Sequence, residues 1–98
     1  MMNIEISEFA QKELEDAVLF YELESHGLGI RFKEEIRKTI DRIQKYPTSW
    51  PFERGEVRKC FLPKFPYKIL YSNQGQNIII LAIAHLHRKP GYWINGIK

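Results

Sequence analysis

The chain has 98 residues, of which 44% are hydrophobic and 28% charged, with one cysteine and a formal net charge of +3. This length holds one hydrophobic core and therefore one domain, covering residues 1–98. A single cysteine excludes an intramolecular disulfide, and the longest apolar run, Ile78 to Ala84, falls far short of the roughly 18–20 residues that cross a bilayer.

Asn3 to Ile6 alternates polar and apolar side chains and predicts a short strand. Ser7 is the expected N-cap of a helix with Glu8 in its first turn, where the helix dipole favours negative charge. Ala10, Leu14, Ala17, Val18 and Tyr21 then recur at three- and four-residue spacing and define one face. That helix is expected to stop near His26-Gly27, because glycine accepts the left-handed backbone of a C-cap. A second helix carries Leu28, Phe32, Ile36, Ile40 and Ile43 as its apolar stripe and ends before Pro47. Two amphipathic helices with a short glycine-containing link predict an antiparallel hairpin.

Residues 47–55 (PTSWPFERG) hold two prolines and a glycine and predict a loop, pinned to the body by Trp50 and Phe52. Strands are expected at Val57–Leu62, Tyr67–Ser72 and Asn77–His85, with Asn73-Gln74-Gly75-Gln76 as a hairpin turn between the last two. Pro63 and Pro66 cannot donate ladder hydrogen bonds, so an irregular loop joins the first two. Ile78 to Ala84 is apolar on both faces and predicts a central strand. The order β-α-α-β-β-β predicts an α+β fold, a helical hairpin packed on one face of a mainly antiparallel sheet. Cys60 lies inside a strand pattern and reads as a small buried hydrophobe in a reducing compartment. The N-terminus, MMNIEISEF, has neither a basic nor an apolar region of the signal-peptide kind, so a cytoplasmic location is expected.

Charge divides along the chain. Residues 1–46 hold ten acidic and seven basic side chains, and residues 47–98 hold two and eight, so the halves carry −3 and +6. The C-terminal half should therefore meet a polyanionic partner. Its cations and aromatics gather near the strand ends: Arg58, Lys59, Lys64 and Lys68, then His85, His87, Arg88, Lys89, Tyr92 and Trp93. Such a face suits phosphate and unpaired bases. Alternation sets Lys68 on the face opposite Tyr67, Ile69 and Tyr71, and His85 and His87 share a face if pairing continues that far. Neither a metal site nor a cofactor is expected, because carboxylates after residue 46 are limited to Glu53 and Glu56. The same scarcity disfavours a Ser-His-Asp arrangement. Metal-free RNA cleavage needs a base, cations for phosphorus and an acid; His85 or His87, Arg88 with Lys68 and Arg58, and Tyr92 would supply them. The competing reading is a solvated basic rim, with Tyr92 and Trp93 closing the core.

The runs FPYKILY, IIILAIAH and HRKPGYW resemble the C-terminal pattern of RelE/ParE-superfamily toxins of type II toxin–antitoxin systems, nearest the ParE-like, plasmid-stabilisation branch. The likeness extends over nearly the whole chain. It implies a bacterial growth inhibitor neutralised by a cognate antitoxin, with which it would form a hetero-oligomer. The superfamily divides by mechanism. RelE-like members resemble ribosome-dependent mRNA endonucleases, and onto that pattern fall Lys68, where arginine is usual, Arg88 and Tyr92, with Lys64 and Arg58 as further charge. ParE-like members resemble inhibitors of DNA gyrase, and Lys68 with the HRKPGYW ending fits them. A third reading is a non-toxic member that only binds an antitoxin or dimerises.

Overall fold

Each helix in the computed structural model, which describes residues 2–97, starts where a backbone donor finds an acceptor. The first strand, β1 (Asn3–Ile6), runs into Ser7, whose hydroxyl accepts the Ala10 N–H at 3.0 Å and caps α1 (Glu8–Glu24). α1 ends earlier than expected, at Ser25, and Gly27 does not cap it. Gly27 is instead the N-cap of α2 (Leu28–Lys45), with φ 87°, a left-handed backbone that glycine adopts without a Cβ clash. Glu22 fastens this link, its carboxylate accepting the Gly27 and Gly29 N–H groups at 2.9 and 3.0 Å. Gly29 is required there, since a Cβ would lie 2.5 Å from the Val18 carbonyl oxygen.

Residues 47–55 are not wholly loop. Phe52–Arg54 forms β2, a hairpin partner of β3 (Val57–Phe61). Trp50 packs against the core as expected, but Phe52 is 53% exposed and lies under the Arg58 guanidinium at 4.0 Å. Tyr71 does the pinning instead: its hydroxyl donates to the Pro47 carbonyl at 2.8 Å, and burial pushes its phenol up to about 12. β4 (Tyr67–Gln74) and β5 (Asn77–His85) extend their hairpin further than the sequence suggests, leaving only Gly75 and Gln76 between them. A 3-10 helix, Tyr92–Ile97, follows.

The strands form one sheet in the order β1-β5-β4-β3-β2, with β1 parallel to β5 and the other neighbours antiparallel. The α+β arrangement is as expected. α1 and α2 cover one face, where Phe32, Ile36 and Ile43 meet Ile69, Tyr71, Ile78, Ile80 and Ile83. Full burial of each such side chain contributes about 1.5–3 kcal/mol. The opposite face has a thinner cover, in which Trp93 seals Leu70, Ala82 and Ala84. One irregularity decides which residues face where: Leu70 pairs with Ala82 but Tyr71 pairs with Ile80, so Leu81 has no partner on β4. This bulge shifts the alternation of β5, placing Ile78, Ile80, Ile83 and His85 on the helix side.

Candidate functional site at the end of β5

β1 stops at Ile6, which leaves the edge of β5 beyond Ile80 without a strand. Side chains from α1 and its cap complete that edge. The Ser7 N–H donates to the Ile80 carbonyl at 3.0 Å and its hydroxyl to the Leu81 carbonyl at 3.2 Å. Glu13 Oε1 then accepts the Ile83 N–H at 2.8 Å. Its other oxygen, Oε2, accepts the Tyr92 hydroxyl at 2.5 Å. One carboxylate from the acidic half therefore joins the sheet edge to the C-terminal segment. Burial pushes the Glu13 carboxyl up; the hydrogen bonds from Tyr92 and Ile83 and the charge of Arg88 pull it back without cancelling that. Burial and the adjoining Glu13 carboxylate together drive the Tyr92 phenol well above its ordinary value. The phenol holds its proton and is a poor acid. Arg88 lays its guanidinium over the Tyr92 ring at 4.0 Å.

The expected cations and aromatics start from both faces of the sheet, and those at and beyond the end of β5 come round to meet Lys68 in one pocket. Lys68 and Ala84 share a register position on the face away from the helices, whereas Tyr67 pairs with His85 on the helix side. Lys68 is occupied: its ammonium bonds to Glu53 at 2.9 Å, and Lys59 approaches the same oxygen at 3.6 Å. Burial raises the Glu53 carboxyl, but the two lysines outweigh it and the net shift is downward. Arg58 donates to the Trp50 carbonyl at 2.6 Å and stacks on Phe52, so it holds the preceding loop. Lys64, with φ 72°, stands in the β3–β4 loop beside Glu35, in a groove with Tyr21, Leu28 and Phe65. It lies apart from the cations at the end of β5 and shares its groove with Arg31 and Lys38 of α2. Trp93 is 5% exposed and buried in the second core cluster, which withdraws it from stacking on a partner.

Pairing does not continue to His87, because β5 ends at His85 and residues 86–87 turn. The turn itself brings the imidazoles together: their centroids are 5.0 Å apart, and the His87 N–H donates to His85 Nδ1 at 3.1 Å. Tyr67 meets His85 edge-on at 5.1 Å. A cleft of about 270 Å³ here is lined by Glu13, Asp16, Phe20, Tyr67, His85 and Arg88. Arg88 on its lining is exposed, as are His87 and Lys89 next to it in the chain. The arrangement offers solvent a cationic, imidazole-rich rim over a locked tyrosine. A second pocket, of about 110 Å³, brings Lys68, His85, Arg88, Lys89, Tyr92 and Trp93 together with Glu53, although Lys68 is paired with Glu53 and Tyr92 with Glu13. Among the described residues, no group of three or more His, Cys, Asp or Glu side chains is gathered to hold a metal, and no helix is long and apolar enough to cross a membrane.

Two residues here went unrecognised in the sequence, Glu13 and Glu53. Glu13 had a signal: it falls among Ala10, Leu14 and Ala17 on the buried stripe of α1, a carboxylate where apolar residues are the rule. Glu53 had a weaker one, the Arg54-Gly55-Glu56-Val57 turn, in which Gly55 takes a positive φ of 55° and folds a hairpin.

The comparisons agree with this architecture. No curated protein matches the chain. Among solved structures, a chain of the "Chromosomal ParDE TA system from P. aeruginosa" superposes with a TM-score of 0.65 at 17% identity, covering 89% of this chain and 98% of that one. At that identity the likeness is one of fold. A family model described as "ParE toxin of type II toxin-antitoxin system, parDE" matches residues 4–90. The chain belongs to the ParE toxin family of type II toxin–antitoxin systems.

Proposed function

We propose that this toxin inhibits growth in the cytoplasm by binding its target rather than by cleaving RNA, that the target is DNA gyrase, and that a cognate antitoxin holds it inactive in a hetero-oligomer. The Glu13–Tyr92 hydrogen bond carries this reading. An RNase of the metal-free kind needs an acid ready to give up a proton, and the Tyr92 hydroxyl is instead held in a hydrogen bond to the half-buried Glu13 carboxylate. The ion pair that holds Lys68 on Glu53 supports it further. What remains accessible is a rim of Arg88, Lys89 and His87, suited to contact with an acidic surface. The basic C-terminal half also fits an antitoxin with an acidic segment.

The chain is to be induced alone in bacteria while mRNA 5′ ends and chromosomal breaks are followed, and the purified protein added to a gyrase supercoiling assay. DNA breaks, a supercoiling block and intact mRNA are expected. Codon-phased mRNA cuts with intact DNA would establish the RelE-like nuclease instead. Unimpaired growth would reduce the chain to an antitoxin-binding or dimerising module.

A further inference from the structure

The pocket of about 110 Å³ beyond β5 gathers more positive charge than the protein itself neutralises. Lys68, Arg88 and Lys89 line it. Arg54 lies against its Gly91 wall, where a Cβ would sit 2.7 Å from the guanidinium. Lys59 approaches the same Glu53 oxygen as Lys68. Two carboxylates oppose these five cations: Glu53 on the lining, and Glu13, bonded to Tyr92. Five less two leaves a local balance of +3. Glu53 takes up the two lysines, and among the described residues no ion pair engages Arg54, Arg88 or Lys89. A concave site lined by one sign of charge concentrates ions of the other. Trp93, also on the lining, has a buried indole N–H with no acceptor.

We propose that this pocket binds one phosphate group and holds it without cleaving it. The cations come from β2, β4 and the segment after β5. A tetrahedral oxyanion presents oxygens in several directions, whereas a carboxylate presents its two in one plane. The space equals that of about four waters and takes a single such group. An oxygen at Trp93 would supply the acceptor its indole N–H lacks. Tyr92 stays on Glu13, so no acid reaches a leaving oxygen. The phosphate is either free or part of a nucleic-acid backbone. Binding here rests on the reading of the rim as the target-contact surface, yet it is measured without gyrase, so the two can fail separately.

Titration of inorganic phosphate into the isotope-labelled full chain at constant ionic strength, followed by NMR, tests it. Saturable shifts are expected at Lys68, Lys89, Gly91 and the Trp93 indole. Lys89→Gln, at an exposed site, should weaken binding about tenfold, and Lys68→Gln likewise. Glu53→Gln should act the other way and tighten it several-fold, since it releases both lysines. Lys33→Gln, exposed on α2 and equal in net charge to Lys89→Gln, should change nothing. A short DNA duplex identifies the source. If it displaces phosphate from the same residues and weakens steeply with salt, a nucleic-acid backbone is the ligand. If it leaves those signals unmoved, the ligand is free phosphate. The absence of saturable shifts overturns the proposal, as do equal losses in Lys33→Gln and Lys89→Gln. So does an oligoglutamate peptide that binds the pocket more tightly than phosphate, which would assign it to an acidic protein segment.

Discussion

The two faces of the sheet are built from the same strands to different standards. On the helix side two amphipathic helices bury Phe32, Ile36 and Ile43 among β-branched and aromatic strand residues. On the other, Trp93 and the short 3-10 helix cover Leu70, Ala82 and Ala84, while Lys59, Lys68 and Glu53 make a small ion cluster beside them. The first face holds the fold. The second, with the rim beyond His85, tolerates charge because solvent and a single carboxylate neutralise it. A toxin of this size can thus alter what it binds without disturbing what keeps it folded. The nuclease-like residues Lys68, His85, Arg88 and Tyr92 do share a pocket, but two of them are already engaged, Lys68 by Glu53 and Tyr92 by Glu13.

Phe32→Ala should be the most damaging change, costing about 3–5 kcal/mol because it empties the centre of the thicker core. Chemical denaturation measures it, and a loss below about 1 kcal/mol would mean that the helix side is not the principal core. Trp93→Ala should cost somewhat less, about 3 kcal/mol, with loss of hydrogen-exchange protection concentrated in the C-terminal segment rather than in α2. Uniform loss of protection would show the two clusters to be one cooperative unit. Tyr92→Phe should cost about 1–2 kcal/mol by leaving Glu13 with one partner fewer, yet retain growth inhibition. Abolished toxicity in a stably folded Tyr92→Phe variant would restore the phenol to a chemical role.

The smallest effect is one of sign. The Glu13 carboxyl is raised from 4.5, so its contribution is fully present below that value and lost as pH rises through the folded pKa. The Glu53 carboxyl is lowered from 4.5, so its contribution is present above that value and lost as pH falls through the folded pKa. Stability relative to Glu13→Gln should therefore decline with rising pH, and relative to Glu53→Gln it should increase. Denaturation midpoints between about pH 3 and 7 read both slopes, and equal slopes would contradict the separate environments assigned to them.

Much of the fold was legible because it is local. The Ser7 cap, the stripes of both helices, the stop before Pro47 and the strands around FPYKILY and NIIILAIAH all follow from residues within a few positions of one another. Less of the site was legible. Lys68 could be assigned to its face by alternation, but the ion pair that occupies it depends on Glu53, from a strand hidden in a proline-rich stretch. His85 could not be placed by counting from Ile78, because the bulge at Leu81 changes the parity of everything after it.

The sequence by itself determined both α-helices, four of the five strands, the α+β class and the uneven charge of the two halves, since propensity, periodicity and composition act over short stretches of chain. Only the tertiary structure decided that β1 lies parallel to β5, that Glu13 closes the edge β1 leaves open, and that Tyr92 donates to that carboxylate across 79 residues. Those choices rest on which backbone groups remain unpaired once the sheet is assembled, and an unpaired donor at a partly buried edge draws an acceptor from wherever the fold can deliver one.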